Sequence, residues 1–231
     1  MKKCVVLFSG GLDSTTALVW AKHHYDEIHA LSFQYGQRHS IEIEFSRIIA
    51  QRLAAPQVVI PLDFSSIGGS SLTDPGMPLP EFQDTAVHQA APPSTYVPFR
   101  NGIFLSLAAA WAEPRHIRHL VAGFNVIDSP EYPDTRPEFA EVMETAINRG
   151  TGASVTGELF RISAPFIRHK KSGIIRQGLN LGADYSYSIS CYAGREIPCG
   201  KCSSCRLREK AWKEAGKRDH LIVRLEKEGK I

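Results

Sequence analysis

The 231 residues carry 43% hydrophobic and 22% charged side chains with a formal net charge of +3. That is the balance of a globular protein with enough apolar material for a sizeable core, and too little charge to announce a nucleic-acid-binding surface. The most apolar stretch, residues 104–112, is far shorter than a membrane span, and the amino-terminal residues lack a signal-peptide cleavage pattern, so a cytoplasmic setting with no membrane partner is expected.

In chain order, residues 3–8 form a β-branched apolar run that ends at Ser9, Gly10 and Gly11, and residues 15–25 then read as a helix. A second strand is expected over 28–33, and a helix over 40–53, where Ile41, Phe45, Ile48 and Ile49 recur at helical spacing. Residues 57–61 offer a third strand. Strand, helix, strand, helix, strand predicts a parallel sheet covered by helices, because each parallel pair needs a crossover. Residues 65–94 are rich in Pro, Gly and Ser without periodicity and read as a long surface loop or lid. A helix over 101–113, a short strand over 120–122, an irregular stretch over 124–137 and helices over 138–148 and 171–181 follow. The expected organisation is one α/β domain over 1–185 with a small metal-binding segment, 186–231, packed on it.

The turn Phe8-Ser9-Gly10-Gly11-Leu12-Asp13-Ser14 lies at the carboxyl end of the first strand, where open α/β sheets bind ligands. Adjacent glycines let the backbone approach an anion, and the next helix offers free N–H groups and a positive dipole end. Ser9 and Ser14 add hydroxyl donors, whereas Asp13 suits a phosphate site only as a ligand to Mg²⁺. The bland alternative is a plain strand-to-helix turn with Ser14 as N-cap.

Four of the five cysteines, Cys191, Cys199, Cys202 and Cys205, fall in one short stretch, which in a reducing compartment argues for metal over disulfides. Two overlapping Cys-x-x-Cys steps plus Cys191 supply four thiolates, the soft set that tetrahedral Zn²⁺ favours, with no open position for catalysis. An iron–sulfur cluster or a redox dithiol is the alternative. Cys4, on the first strand, reads as a buried small hydrophobe.

Ser-Gly-Gly-Leu-Asp-Ser (residues 9–14) resembles the signature of the pyrophosphate-loop, or N-type, ATP pyrophosphatases. That resemblance implies a Rossmann-like fold of the adenine nucleotide alpha hydrolase type, with a parallel sheet carrying helices on both faces. It also implies ATP bound along Phe8, Ser9, Gly10, Gly11, Leu12, Asp13, Ser14, Thr15, Thr16, Ala17 and Leu18, cleavage between the α and β phosphates, and transfer of AMP to a substrate oxygen. The loop alone leaves several ligase families open. Residues 33–39, 96–101, 132–139 and 190–192, the last leading into the cysteine triplet, together resemble the 7-cyano-7-deazaguanine synthase family, in that family's order and across nearly the whole chain. The chain departs from the family's pattern at Gln34, Phe99 and Pro130-Glu131.

What this second resemblance implies is ATP-dependent conversion of 7-carboxy-7-deazaguanine and ammonia to the nitrile, a step toward queuosine, with bound zinc, small-molecule substrates, no direct nucleic-acid contact and, in many members, a homodimer. A carboxylate approaching ATP needs cationic screening, for which Arg100, Arg136 and Lys171 are candidates, Lys171 also matching a family lysine expected near the phosphates. Asp13, Arg100 and Lys171 are the expected catalytic groups. Stacking and edge hydrogen bonds to a deazaguanine ring are assigned to Phe99, Arg100, Asn101, Asn125, Asp128, Tyr132, Asp134 and Arg136. Arg38 and His39 could cap the second-strand ligand region. Two rivals remain: a pyrophosphate-loop ligase acting on a different carboxylate or on an RNA base, and a non-enzymatic zinc-ribbon module.

Overall fold

A computed structural model describes residues 1–36, 40–82, 91–127 and 130–231. Its strands are β1 (Lys3–Leu7), β2 (Glu27–Gln34), β3 (Gln57–Pro61), β4 (His119–Ala122) and β5 (Arg161–Ser163). They form one sheet in the order β3-β2-β1-β4-β5, with every neighbouring pair parallel. The helices are α1 (Leu12–His24), α2 (Ser40–Arg52), α3 (Arg100–Ala112), α4 (Pro137–Gly150), α5 (Ala153–Thr156), α6 (Lys171–Asn180), α7 (Ser203–Ala215) and α8 (His220–Lys227). The expected α/β architecture is what the chain adopts, and among the described residues no helix is long and apolar enough to cross a membrane.

β1 is central, and its Cys4, Val5 and Val6 are wholly buried because side chains of opposite parity enter two separate cores. Cys4 and Val6 pack with Ala17, Leu18 and Ala21 of α1, Ile174 and Ile175 of α6, and Tyr185 and Trp212. On the opposite face, Val5 joins Leu31, Leu105, Ala108 and Ala112 of α3, and Met143 and Ile147 of α4. β5 is an edge strand of three residues that sequence periodicity did not reveal; its pairing with β4 supplies the definition.

The chain builds outward from β1 through β2 to β3, then returns by α3 to lay β4 on the other side of β1. The switch point therefore falls between β1 and β4, where a crevice opens beyond the strands' carboxyl ends. Gly123, immediately after β4, shows how closely the walls approach. A Cβ there would lie 2.9 Å from the backbone carbonyl of Asp13 and from the Ser14 nitrogen.

The carboxyl-terminal segment is keyed into this body. The Tyr185 and Thr16 hydroxyls are 2.7 Å apart, and Trp212 of α7 belongs to the same core as α1. A third, smaller core of Ile189, Cys191, Cys202, Cys205, Leu221 and Leu225 rests on Phe45 of α2.

Candidate functional site

The glycine turn places its donors by backbone geometry. Gly10 adopts φ +82°, a left-handed conformation that favours glycine, and a Cβ on it would meet Ser46 Cβ at 3.0 Å. Gly11 is the N-cap of α1 and brings no capping side chain. The Ser9 hydroxyl accepts from the Gly11 N–H at 3.3 Å and lies 3.1 Å from the Ser14 hydroxyl, which donates to the Gly11 carbonyl at 3.1 Å. Leu12, Asp13 and Ser14 already belong to α1, so the helix begins earlier than its apolar spacing suggested. Its first turn presents free N–H groups and the positive dipole end to the crevice.

Asp13 and Lys171, at the first turns of α1 and α6, form an ion pair of 2.6 Å, with both side chains mostly buried. The other carboxylate oxygen, Asp13 Oδ1, is buried and lacks a hydrogen-bond partner among the described residues. A hard oxygen in that condition suits a divalent cation.

These groups line a cavity of about 340 Å³ at the sheet's carboxyl edge, shared by Phe8, Ser9, Gly11, Leu12, Asp13, Ser14, Arg100, Asn101, Asn125, Tyr132 and Lys171. Arg100 donates to the Tyr35 hydroxyl at 3.0 Å. Burial works against the guanidinium charge, but Tyr35 and Asp134 more than offset it and raise its pKa above the ordinary value. The Tyr132 hydroxyl lies 2.5 Å from that of Thr95, and burial pushes the phenol up. Asn125 is held by donation to the His169 carbonyl at 2.5 Å.

Other sequence candidates sit elsewhere. Thr15, Thr16, Ala17 and Leu18 are buried along the inner length of α1, and Gly10 lies behind the lining. Asp134 is buried beneath the cavity wall, where it accepts from the Asn101 N–H at 3.0 Å and so anchors the first turn of α3. Phe99 is 53% exposed, with its ring over Gly102 and edge-on to Phe139. Arg136 is exposed and donates to the Pro130 carbonyl at 3.1 Å. Asp128, Arg38 and His39 lie outside the described residues.

The cavity also recruits Phe33, Tyr35, Glu42, Thr95, Phe104, Ser190, Tyr192, Ser204 and Arg208, none of which was assigned to the site from sequence. Tyr35, just beyond β2, was findable from the carboxyl-edge rule. Burial pushes the Glu42 carboxyl up to about 7, with the positive Arg100 opposing that shift. Of the expected lid over 65–94, Leu72 lines the cavity and the Phe82 N–H donates to the Lys201 carbonyl at 2.9 Å, while residues 83–90 lie outside the described set.

The sulfur atoms of Cys191, Cys199, Cys202 and Cys205 all lie within 4.8 Å of one another. Cys202 is the N-cap of α7 and Cys205 sits in its first turn, while Gly200, at φ +69°, turns the chain between Cys199 and Cys202. The Cys191 sulfur accepts from the Cys199 N–H at 3.2 Å, and the Cys199 sulfur from the Cys202 N–H at 3.4 Å. Hydrogen bonding with Cys191 and Cys205 pulls the Cys202 thiol down, and hydrogen bonding with Cys191 and Cys202, with burial added, pushes the Cys205 thiol up. Four clustered sulfurs suit a shared dication. Four sulfurs about 2.3 Å from Zn²⁺ would stand roughly 4 Å apart, and Cys199 and Cys205 are 3.9 Å apart. The residues fit a closed structural zinc site.

Residues 3–216 match the family described as Queuosine biosynthesis protein QueC. The 7-cyano-7-deazaguanine synthase of Syntrophus aciditrophicus is 46% identical over 221 residues, covering 93% of this chain and 94% of that protein. The protein of the same name from Clostridium kluyveri is 44% identical over 229 residues, covering 98% of this chain and 100% of its own length. That of Stutzerimonas stutzeri is 43% identical over 221 residues, covering 94% and 96%.

Proposed function

The chain belongs to the queuosine biosynthesis protein QueC family, and on that premise we propose that it is an ATP-dependent carbon–nitrogen ligase that makes 7-cyano-7-deazaguanine from 7-carboxy-7-deazaguanine and ammonia. The observation that carries this reading is the joining, in one cavity, of the glycine turn with Asp13, Lys171 and Arg100. A zinc-ribbon module has no use for such a cavity.

The nucleotide phosphates would lie on the turn, receiving the N–H groups of α1's first turn and the Ser9 and Ser14 hydroxyls. The substrate carboxylate attacks the α-phosphorus and pyrophosphate leaves with the electron pair of the broken bond. Ammonia then adds to the acyl carbon, AMP departs, a proton is released, and the amide results. A second ATP activates the amide oxygen in the same way, and loss of AMP and of both amide protons leaves the nitrile. AMP and pyrophosphate are good leaving groups, so catalysis rests on positioning and charge stabilisation, with no protein nucleophile.

Lys171 and Arg100 supply the cationic screening that lets two anions meet. Asp13 keeps Lys171 in place through Oδ2, and its Oδ1 would hold Mg²⁺ arriving with ATP, which would add charge neutralisation. Asn101, Asn125 and Tyr132 are the groups placed to read a deazaguanine edge. Asp134 acts through Asn101, while Phe99 and Arg136, on the outer side of the same wall, would reach substrate only if that wall moved. Residues 186–231 form the zinc-bearing segment packed on the 1–185 body. A cytoplasmic setting agrees with five cysteines that form no disulfide. Incubation with ATP, ammonium and the deazaguanine carboxylate should yield AMP, pyrophosphate and a product lighter than the amide by one water. Formation of ADP, or no product with this acid, would overturn the assignment.

A further inference from the structure

Resting on that adenylation reading, we propose that Arg208, carried by the zinc-bearing segment, is a further ligand for the pyrophosphate oxyanions. Arg208 is 5% exposed, yet it lines the same cavity as Ser9, Gly11, Asp13 and Ser14. It stands on α7, one turn beyond Cys205, with Ser204 and Leu207 of the same helix also facing the cavity.

Its guanidinium is fixed from behind. Nε donates to Asp219 Oδ2 at 2.5 Å and Nη2 to Asp219 Oδ1 at 2.8 Å, a fork across both carboxylate oxygens. Asp219 is itself immobilised as the N-cap of α8, accepting from the Leu221 N–H at 2.9 Å. Nη1 keeps two N–H groups and makes a single long contact, 3.4 Å to the Ser188 hydroxyl. The residue after Ser188 is pinned to the glycine turn. The Ile189 N–H donates to the Gly10 carbonyl at 3.3 Å, and the Ile189 carbonyl lies 3.7 Å from where a Gly11 Cβ would be. The spare edge of the guanidinium is thereby carried to the phosphate side of the cavity.

A purely structural pair would need Arg208 only to tie α7 to α8, and a buried ion pair is a poor way to gain stability. A guanidinium whose back is neutralised and whose front is under-used is preorganised for an oxyanion that gains charge as the α–β bond breaks. It also gives the zinc a reason to lie beside an active site it does not enter, since the thiolates hold the helix that carries the ligand.

The test uses the full-length zinc-loaded protein and inorganic pyrophosphate as probe, with steady-state AMP release as readout. Arg208→Met/Asp219→Asn removes both charges together, and asparagine preserves the helix cap. It should need about tenfold or more pyrophosphate for half inhibition, with KM for ATP rising in step. KM for the carboxylate should stay within about twofold, which a general loss of structure would not spare. Arg208→Lys, whose single ammonium cannot serve Asp219 and phosphate at once, should weaken pyrophosphate inhibition about fivefold, and it decides the matter if the double variant does not fold. Inhibition by pyrophosphate within twofold of wild type in the folded variants overturns the proposal. Failure of the underlying adenylation reading is a separate result: wild-type protein that releases no AMP.

Discussion

The glycine turn after β1 and the four-cysteine segment near the carboxyl terminus hold their geometry by different means. The turn is preformed by backbone conformation, with Gly10 at positive φ, Gly123 pressed against Asp13 and Ser14, and α1 anchored by a fully buried inner row. The cysteine segment has only a small core of its own, and its four sulfurs, all within 4.8 Å of one another, form a set that a shared cation would hold together. One region is paid for by the fold and the other by a ligand. Contact between them at Ser188, Ile189 and Arg208 means that they are not independent.

The sharpest way to break this contrast is to remove one charged group from each region. Asp13→Ala should lower AMP formation by about a hundredfold or more while leaving the zinc content intact, with only the fall in melting temperature that follows from leaving the mostly buried Lys171 without its partner. Substantial turnover in that variant would sink the role given to Asp13. Cys202→Ser should do the reverse, damaging the folded state first. Zinc-binding free energies in small domains are on the order of 10 kcal/mol, and forfeiting part of that should appear as lost metal and a lower melting temperature. Wild-type protein without bound zinc on elemental analysis would refute the structural-site account.

Gly123→Ala sharpens the comparison from the packing side. Its Cβ would meet backbone atoms at 2.9 Å, which cannot rotate away, so a cost of about 1 to 3 kcal/mol is expected together with weaker ATP binding, as α1's first turn is displaced. Calorimetry on the two proteins, with and without ATP, reads both effects.

How far sequence reached differs between the regions for the same reason. The turn is a local object, an apolar strand, two glycines and a helix, and adjacent residues disclose it. The four ligands of the metal site were legible from cysteine spacing, whereas the helices α7 and α8 that carry and brace them were not assigned. Glu42, Tyr35 and Arg208 enter the cavity from α2, the end of β2 and α7, and only the closure of the sheet brings them together. Phe99 and Arg136 show the converse: each neighbours a cavity residue in the chain, yet Phe99 is exposed and Arg136, also exposed, donates to the Pro130 carbonyl.

A pH-dependent effect concerns Glu42. Burial raises its folded pKa to about 7 from an ordinary 4.5, so the folded state holds the proton more tightly than the unfolded chain. Its favourable contribution is complete below the unfolded pKa and is lost as pH rises through about 7. Zinc-loaded wild type should therefore lose up to about 3 kcal/mol between pH 4.5 and 8 through this group, and Glu42→Gln should flatten that part of the profile. Identical denaturation profiles for the two proteins would show that Glu42 ionises as an exposed carboxylate does.

Nitrogen should come from free ammonia. Glutamine hydrolysis needs an activated nucleophile, and the one cysteine outside the metal set, Cys4, is wholly buried with its thiol pushed up to about 12 by desolvation. Nitrile formation at similar rates from ammonium and from ammonia-free glutamine would contradict this.

The central claim is that the substrate's own oxygen atoms are transferred to AMP in the cavity built on the glycine turn. It is tested most directly with 7-carboxy-7-deazaguanine labelled with heavy oxygen in both carboxylate positions, supplied with ATP and ammonium, followed by mass analysis of the AMP. The account predicts that each AMP carries one heavy oxygen, the first taken from the carboxylate and the second from the amide derived from it. Unlabelled AMP, or ADP in its place, would contradict adenylation and with it the assignment of this cavity.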